Sequence, residues 1–326
     1  MMEKYQKPNP NIWKGRKSDN QLYLHEKIQF VNFNNGFEGE IDQNKKTFAF
    51  VGYACDEGVR RNQGRIGALE GPESIRTALS KLTNHLKNGT QIIDVGDVVC
   101  ENEDLETTQK ELSQIVDKLL SSNMFPIVLG GGHDITYGHY QGINNFVQKQ
   151  GKKKTIGIIN FDAHFDMRTV VDQGNSGTAF YQIATESGKD EFHYLCLGIQ
   201  WQSNIRTLFE TAEKYNVIFL NNEEFRVENS DMVKEVINSF IDKVDHVYLT
   251  IDLDGFTSAI APGVSAPSPF GFLTNVALLS LNEICQSGKL ISVDLAELNP
   301  RFDTDNSTAR LAAGLIVNLM NYLEDK

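Results

Sequence analysis

The sequence predicts one α/β domain in three layers: an eight-stranded, mainly parallel sheet with helices on both faces. Three observations predict it. From Thr47 onward, short apolar or β-branched runs alternate with longer amphipathic segments to the C-terminus. The runs read as strands buried on both faces, as parallel strands under helices are. No internal repeat, low-complexity tract or Pro/Gly linker divides the chain, and 326 residues are enough to bury a substantial core.

Residues 1–45 are polar and turn-rich, with Asn34-Asn35-Gly36 as a tight turn. They are expected to form an extension packed on the main domain, residues 46–326. The first strand is Phe48–Tyr53, followed by a Gly-rich loop with Arg60, Arg61 and Arg65, then a helix over about 72–86. Gln91–Val95 is the second strand, and an amphipathic run over 104–122 leads to the third, Pro126–Leu129. A helix at 134–149 precedes Thr155–Phe161, after which come His193–Leu197 and Val217–Leu220. Helices resume at 229–242, before His246–Ile251, at 272–286, before Leu290–Val293, and at 307–323. Such a sheet gathers its site at the carboxyl ends of the strands, so ligand-type residues just after these runs carry the most information.

Composition narrows the function. With 31 basic against 43 acidic residues the formal charge is −12, which argues against a nucleic-acid binder but not against a local arginine site for a small anion. Cys55, Cys100, Cys196 and Cys285 are scattered, with no Cys-x-x-Cys pair, and read as buried thiols of a reducing compartment. The N-terminus lacks the apolar core of a signal peptide, and no stretch approaches the roughly 18 apolar residues of a membrane span. The expected compartment is the cytoplasm.

Four clusters of ligand-type residues follow strands. After Ile127-Val-Leu129 comes Gly130-Gly-Gly-His133-Asp134, where glycines permit a sharp turn and close backbone approach. By itself this reads first as a turn with a hydrogen-bonded imidazole, and it lacks the Gly-Lys-Ser/Thr of a phosphate loop. After Ile156-Gly-Ile-Ile159 comes Asn160-Phe-Asp162-Ala-His164-Phe-Asp166. In an extended chain Asp162, His164 and Asp166 share one face, and without a cation the two carboxylates there would repel. After Val247-Tyr-Leu-Thr-Ile251 comes Asp252-Leu-Asp254, and after the last strand Asp294-Leu-Ala-Glu297. Two histidines and four aspartates suit two divalent cations, and oxygen-rich ligation without thiolate favours manganese or a similar metal. So few side chains hold two ions only if carboxylates bridge, at a metal spacing of roughly 3.5–4 Å that generates a water-derived nucleophile. A hydrolase follows.

In this order the clusters resemble those of the arginase/agmatinase (ureohydrolase) family, from about Gly52 to the C-terminus. The resemblance implies a single α/β domain with two Mn²⁺ per subunit. It places His133, Asp162, Asp166 and Asp252 on one ion and His164, Asp162, Asp252 and Asp254 on the other, with Asp162 and Asp252 bridging. It also makes Asp166 the residue that moves the nucleophile's proton, and Glu297 the one that grips a cationic guanidinium or amidinium. Asp252-Leu-Asp254-Gly-Phe-Thr257-Ser258, Ala261-Pro-Gly-Val-Ser-Ala-Pro267, Trp13-Lys-Gly-Arg16 and Ala54-Cys-Asp-Glu-Gly-Val-Arg60-Arg61-Asn62 are similar to the formimidoylglutamase branch. Arg168 stands where arginases carry an asparagine, and its planar fork suits a more anionic substrate. Asn175 and Ser176 form the expected polar rim. The implied reaction is cleavage of N-formimidoyl-L-glutamate to L-glutamate and formamide, in histidine degradation. Phe180 replaces the family's proton-shuttling histidine, so that shuttle does not carry over.

Two alternatives remain: hydrolysis of another amidine or guanidino acid, and a non-catalytic metal-binding relative. The implied partners are a small anionic amidine and further copies of the chain in a homo-oligomer, with neither nucleic acid nor membrane. His139 reads as structural and Lys152-Lys153-Lys154 as a solvated turn. Arg60, Arg61 and Arg65 could face the substrate or a neighbouring subunit, and the sequence does not choose.

Overall fold

The structure is a computed structural model that describes residues 2–37, 41–42, 44–151 and 154–324. Lys152 and Lys153 of the lysine run lie outside the described residues. The N-terminal segment holds β1 (Tyr5–Gln6), α1 (Leu24–Lys27) and β2 (Ile28–Phe30). Then follow β3 (Thr47–Ala54), α2 (Glu57–Arg61), α3 (Gly71–Leu79), β4 (Gln91–Val99), α4 (Leu105–Ser121), β5 (Phe125–Gly130), α5 (Ile135–Gln148) and β6 (Ile156–Phe161). The second half comprises α6 (Ala179–Ser187), β7 (His193–Ile199), α7 (Arg206–Lys214), β8 (Ile218–Asn221), α8 (Ser230–Ile241), β9 (His246–Asp252), α9 (Thr274–Gln286), β10 (Leu290–Ala296) and α10 (Ser307–Glu324).

Eight of these strands form a parallel sheet in the order β4-β3-β5-β10-β9-β6-β7-β8. Most run past the carboxyl ends expected from their apolar runs, because the hydrogen-bond ladder carries Gly130, Asp252 and Ala296 as well. Side chains alternate between two cores. Phe48 and Phe50 pack on one face with Ile75, Ile237, Leu281 and Ile316; Ala49, Val51 and Tyr53 pack on the other with Leu112, Ile143 and Ile183. Helices therefore cover both faces.

Three details correct the sequence reading. Among the described residues the sheet has ten strands, since β1 pairs antiparallel and β2 parallel with β4; two and three residues long, they are too short to show a period. The helix expected over 72–86 stops at Leu79. Beyond it, residues 82–84 bond the N-terminal segment instead: Leu24 N–H donates to Leu82 O (3.1 Å) and Asn84 N–H to Leu22 O (2.7 Å). Helices α6 and α7 were not anticipated; α7 buries only Leu208 and Ala212, a stripe too narrow to read. Asn34 and Asn35 lie in a 3₁₀ turn that Gly36 closes at φ 78°, a conformation glycine adopts without strain.

Trp13 anchors the N-terminal segment. Its ring is buried against Phe50 with centroids 5.8 Å apart, and its Nε1–H donates to Asp94 Oδ2 at 2.8 Å. Asp94 also pairs with the buried Arg76 at 2.8 Å. No helix among the described residues is long and apolar enough to cross a membrane.

Candidate metal centre

The four clusters converge because their strands are neighbours, in the order β5-β10-β9-β6 at the middle of the sheet. Ala296 is level with Asp252, and Phe161 with Ile251, so the carboxyl ends form one rim. His133 reaches it through the turn after β5. There Gly131 N–H donates to Tyr53 O and Gly132 N–H to Cys55 O, and a Cβ on Gly131 would lie 2.1 Å from Cys55 O. The glycines thus admit the backbone at the end of the adjoining strand β3.

His133 Nδ1 faces three carboxylates: Asp166 Oδ2 at 2.9 Å, Asp252 Oδ2 at 3.1 Å and Asp162 Oδ2 at 3.2 Å. His164 Nδ1 lies 3.3 Å from Asp254 Oδ1 and 3.4 Å from Asp162 Oδ1. Asp162 thus turns one oxygen toward each histidine. Two groups could each hold a metal ion: His133, Asp162, Asp166 and Asp252, and Asp162, His164 and Asp254. Asp252 falls in the first group alone; its Oδ1 accepts from Asp254 N–H at 2.7 Å.

The shared strand face expected for Asp162, His164 and Asp166 is not observed. Strand β6 ends at Phe161 and the three lie in a loop whose last member, Asp166, has φ 47°. A carboxylate residue held in the left-handed region stores strain of the kind found at functional sites. The bend splits the three between two ion-sized groups. Asn204 holds the loop: its Oδ1 accepts from Phe165 N–H (3.0 Å) and its Nδ2 donates to Ala163 O (2.8 Å).

Electrostatics favour a cation. Asp254 Oδ1 is buried without a hydrogen-bond donor. Burial, with the charge of Asp162 added, pushes the Asp254 carboxyl up to about 6 despite His164. Burial and the charges of Asp254 and Asp162 raise Asp252 well above the carboxylate range. Burial also opposes charge on His133 and His164, yet their aspartates lift both imidazoles well above the usual value. At one imidazole nitrogen, a single N–H cannot satisfy three carboxylates, two of them buried; a divalent cation can.

Glu297 follows β10 with φ 69° and is buried. Its Oε1 accepts from His133 N–H at 2.8 Å, and burial with the Asp252 charge holds its carboxyl well above the usual range. A cleft of ≈ 350 Å³ opens over the centre and is lined by His164, Asp166, Arg168, Ser176, Asp254 and Glu297. Arg168 is exposed on its rim and forms no hydrogen bond or ion pair through its guanidinium among the described residues. Ser176 Oγ accepts from Asn62 Nδ2 at 3.1 Å. Asn175 is set back: its Oδ1 accepts from Gly177 N–H at 2.9 Å, and it lines a neighbouring cleft.

The arginines left open divide by role. Arg61 pairs with Glu57 (2.8 Å) and Glu106 (2.6 Å) and donates to Gly174 O (3.1 Å), tying α2 to the loop of Asn175 and Ser176. Arg65 donates to the carbonyls of Val264 and Ser265 and lies over the Phe302 ring, 3.7 Å from its centroid. Arg60 pairs with Glu57 and Glu103 near the surface. Phe180 is fully buried, edge-on to His133 and stacked on Tyr194.

Two polar partners escaped the sequence reading. Asn160 Nδ2 donates to Asp162 Oδ2 at 2.9 Å, and Thr250 Oγ1 lies 3.0 Å from His133 Nε2. Each sits two residues before an aspartate, hence on the same strand side, and a polar residue inside a buried apolar run was the available signal.

Known proteins are similar to this chain in sequence and fold. The family model described as Arginase family matches residues 46–321. A formimidoylglutamase of Legionella pneumophila is 42% identical over 325 residues, covering 98% of each chain. A solved formimidoylglutamase of Bacillus subtilis superposes with TM-score 0.81 at 25% identity, over 95% of this chain and 94% of that one. A formiminoglutamase of Trypanosoma cruzi, solved with Mn²⁺, has the same fold: TM-score 0.77 at 23% identity, over 89% and 97%.

Proposed function

The chain belongs to the arginase family, and from that premise we propose that it is a binuclear manganese hydrolase cleaving N-formimidoyl-L-glutamate to L-glutamate and formamide. One observation carries the reading: Asp162 divides its two oxygens between two histidine–aspartate groups, as a carboxylate shared by two cations can. His133, Asp162, Asp166 and Asp252 would hold one ion, and His164, Asp162 and Asp254 the other, with Asp252 shared as the family resemblance implies. The oxygen and imidazole donors fit Mn²⁺, and the Trypanosoma cruzi relative of the same fold holds it. When bound, such a pair supplies a water-derived nucleophile at neutral pH and offsets negative charge developing on the substrate.

The chain's own residues do the rest. Glu297 grips the planar amidinium; with Oε1 engaged by the His133 amide, Oε2 remains for a substrate N–H. Arg168, uncommitted at the rim, pairs with a substrate carboxylate, and Ser176 lies beside it. Asp166 borders the cleft next to the ligand groups. It takes the proton released as water adds to the formimidoyl carbon and returns it to glutamate's nitrogen when the C–N bond breaks. Phe180 has no proton to carry. The cytoplasm and a homo-oligomeric state belong to the same reading, supported by scattered, mostly buried cysteines and by the family resemblance respectively.

The test is a substrate panel with metal-stripped protein, with and without Mn²⁺. Formimidoylglutamate should yield glutamate and formamide only with metal, well ahead of arginine and agmatine. Faster turnover of a guanidino acid would move the chain elsewhere in the family. Metal binding without hydrolysis of any amidine would make it a non-catalytic relative.

A further inference from the structure

We propose that Thr250 and Asp294 form a hydrogen-bond relay that fixes which nitrogen of His133 offers its lone pair to the cation, making both positioning residues of the metal centre. The proposal rests on the metal-centre reading above. A neutral imidazole has one N–H and one lone pair, and only the lone pair ligates a metal. His133 Nδ1 is the nitrogen among the aspartates, while Nε2 points 3.0 Å from Thr250 Oγ1.

The direction of the relay follows from counting protons. Thr250 has a single hydroxyl proton and donates it to Asp294 Oδ1 at 2.5 Å, since a carboxylate only accepts. What Thr250 offers His133 is therefore a lone pair, and His133 must bring the hydrogen on Nε2. Nδ1 is then free to bind the ion. Asp294 is itself fixed: its Oδ2 accepts from the Tyr248 hydroxyl and from His139 Nδ1, the latter at 2.6 Å. His139 Nε2 lies 2.6 Å from Ser292 Oγ, which donates to Pro126 O at 3.0 Å. Thr250, Asp294, His139, Tyr248 and Ser292 are all fully buried, and none lines the cleft over the metal groups. They act on the centre through His133. His139, expected to be structural, is part of the relay's support.

Asp294→Asn tests the direction with almost no change of shape. Two donors, Tyr248 and His139, meet the Oδ2 position, so the amide oxygen must take that place and the NH₂ must face Thr250. Thr250 would then donate to His133 Nε2, leaving the N–H on Nδ1, where the ion belongs. The experiment titrates Mn²⁺ into metal-stripped full-length protein and follows the paramagnetic resonance of free Mn²⁺. Wild type should bind two ions. Asp294→Asn and Thr250→Val should each bind one ion roughly 10- to 100-fold more weakly. The other ion should keep its wild-type affinity, and Thr250→Ser should bind both normally. Should Thr250→Val fail to fold, Asp294→Asn decides alone. Wild-type affinity for both ions in Asp294→Asn, or equal weakening of the two, overturns the relay. Failure of wild type to bind Mn²⁺ overturns the metal-centre reading itself.

Discussion

Asp254 shows what it costs to keep an acidic pocket inside a protein. Its carboxyl is pushed up to about 6, burial and its acidic neighbours raise Asp252 well above the carboxylate range, and both imidazoles are lifted by their aspartates. Burial and these mutual interactions favour protons in the pocket when no cation is bound, and a cation must displace them. Mn²⁺ affinity should rise with pH from 6 to 8, with proton release on binding. Calorimetry in buffers of different ionisation enthalpy measures that release, and heats independent of buffer would refute it. Arg168 makes a separate prediction. A hydrogen bond to a charged partner contributes about 1.5–3 kcal/mol, so Arg168→Ala should raise KM for formimidoylglutamate roughly 10- to 150-fold. Its exposure favours the low end, and kcat should change little; steady-state kinetics with kcat reduced and KM unchanged would place the arginine elsewhere. The ligand-type residues were legible because aspartate and histidine after buried strands have few other reasons to be there. Thr250 and Asn160 carried only the weak signal of a polar residue inside an apolar run, and Asn204 carried none, because amides are ordinary in loops.

At the scale of elements, one large side chain adds to the strand pairing that binds the N-terminal segment to the sheet. Trp13 packs on Phe50 and bonds Asp94, which in turn pairs with Arg76 of α3. Trp13→Ala should cost about 3–5 kcal/mol, the range for emptying a buried aromatic site, and leave Asp94 without one donor. Chemical denaturation gives the value; a loss under about 1 kcal/mol would mean the segment contributes little. The eight parallel strands were readable because each is built largely of apolar or β-branched residues, which β1 and β2 are too short to show. Asp162, His164 and Asp166 were expected on one strand face and lie in a loop instead: alternation along a strand cannot reveal that Asp166 sits at positive φ. Helix α3 ends early because residues 82–84 bond chain some sixty positions away, information no local window contains.

Across the whole molecule, metal binding should couple to global unfolding, since the ligand-type residues come from three strands of a continuous sheet. A ligand at 100 times its dissociation constant stabilises the native state by about 2.7 kcal/mol. Saturating Mn²⁺ should raise the thermal midpoint in one cooperative transition, and EDTA should reverse it. Calorimetric scans showing no shift, or a shift in only part of the transition, would break the coupling.

Strand order has one more consequence. β10, the last strand in the chain, is wedged between β5, which bears His133, and β9, which bears Asp252. On the ribosome, His133 and every aspartate of both groups emerge before the strand that spaces them correctly. The cage is thus an unfinished vessel through most of synthesis. On the proposed reading, metal enters that vessel only after β10 has slid home between its neighbours.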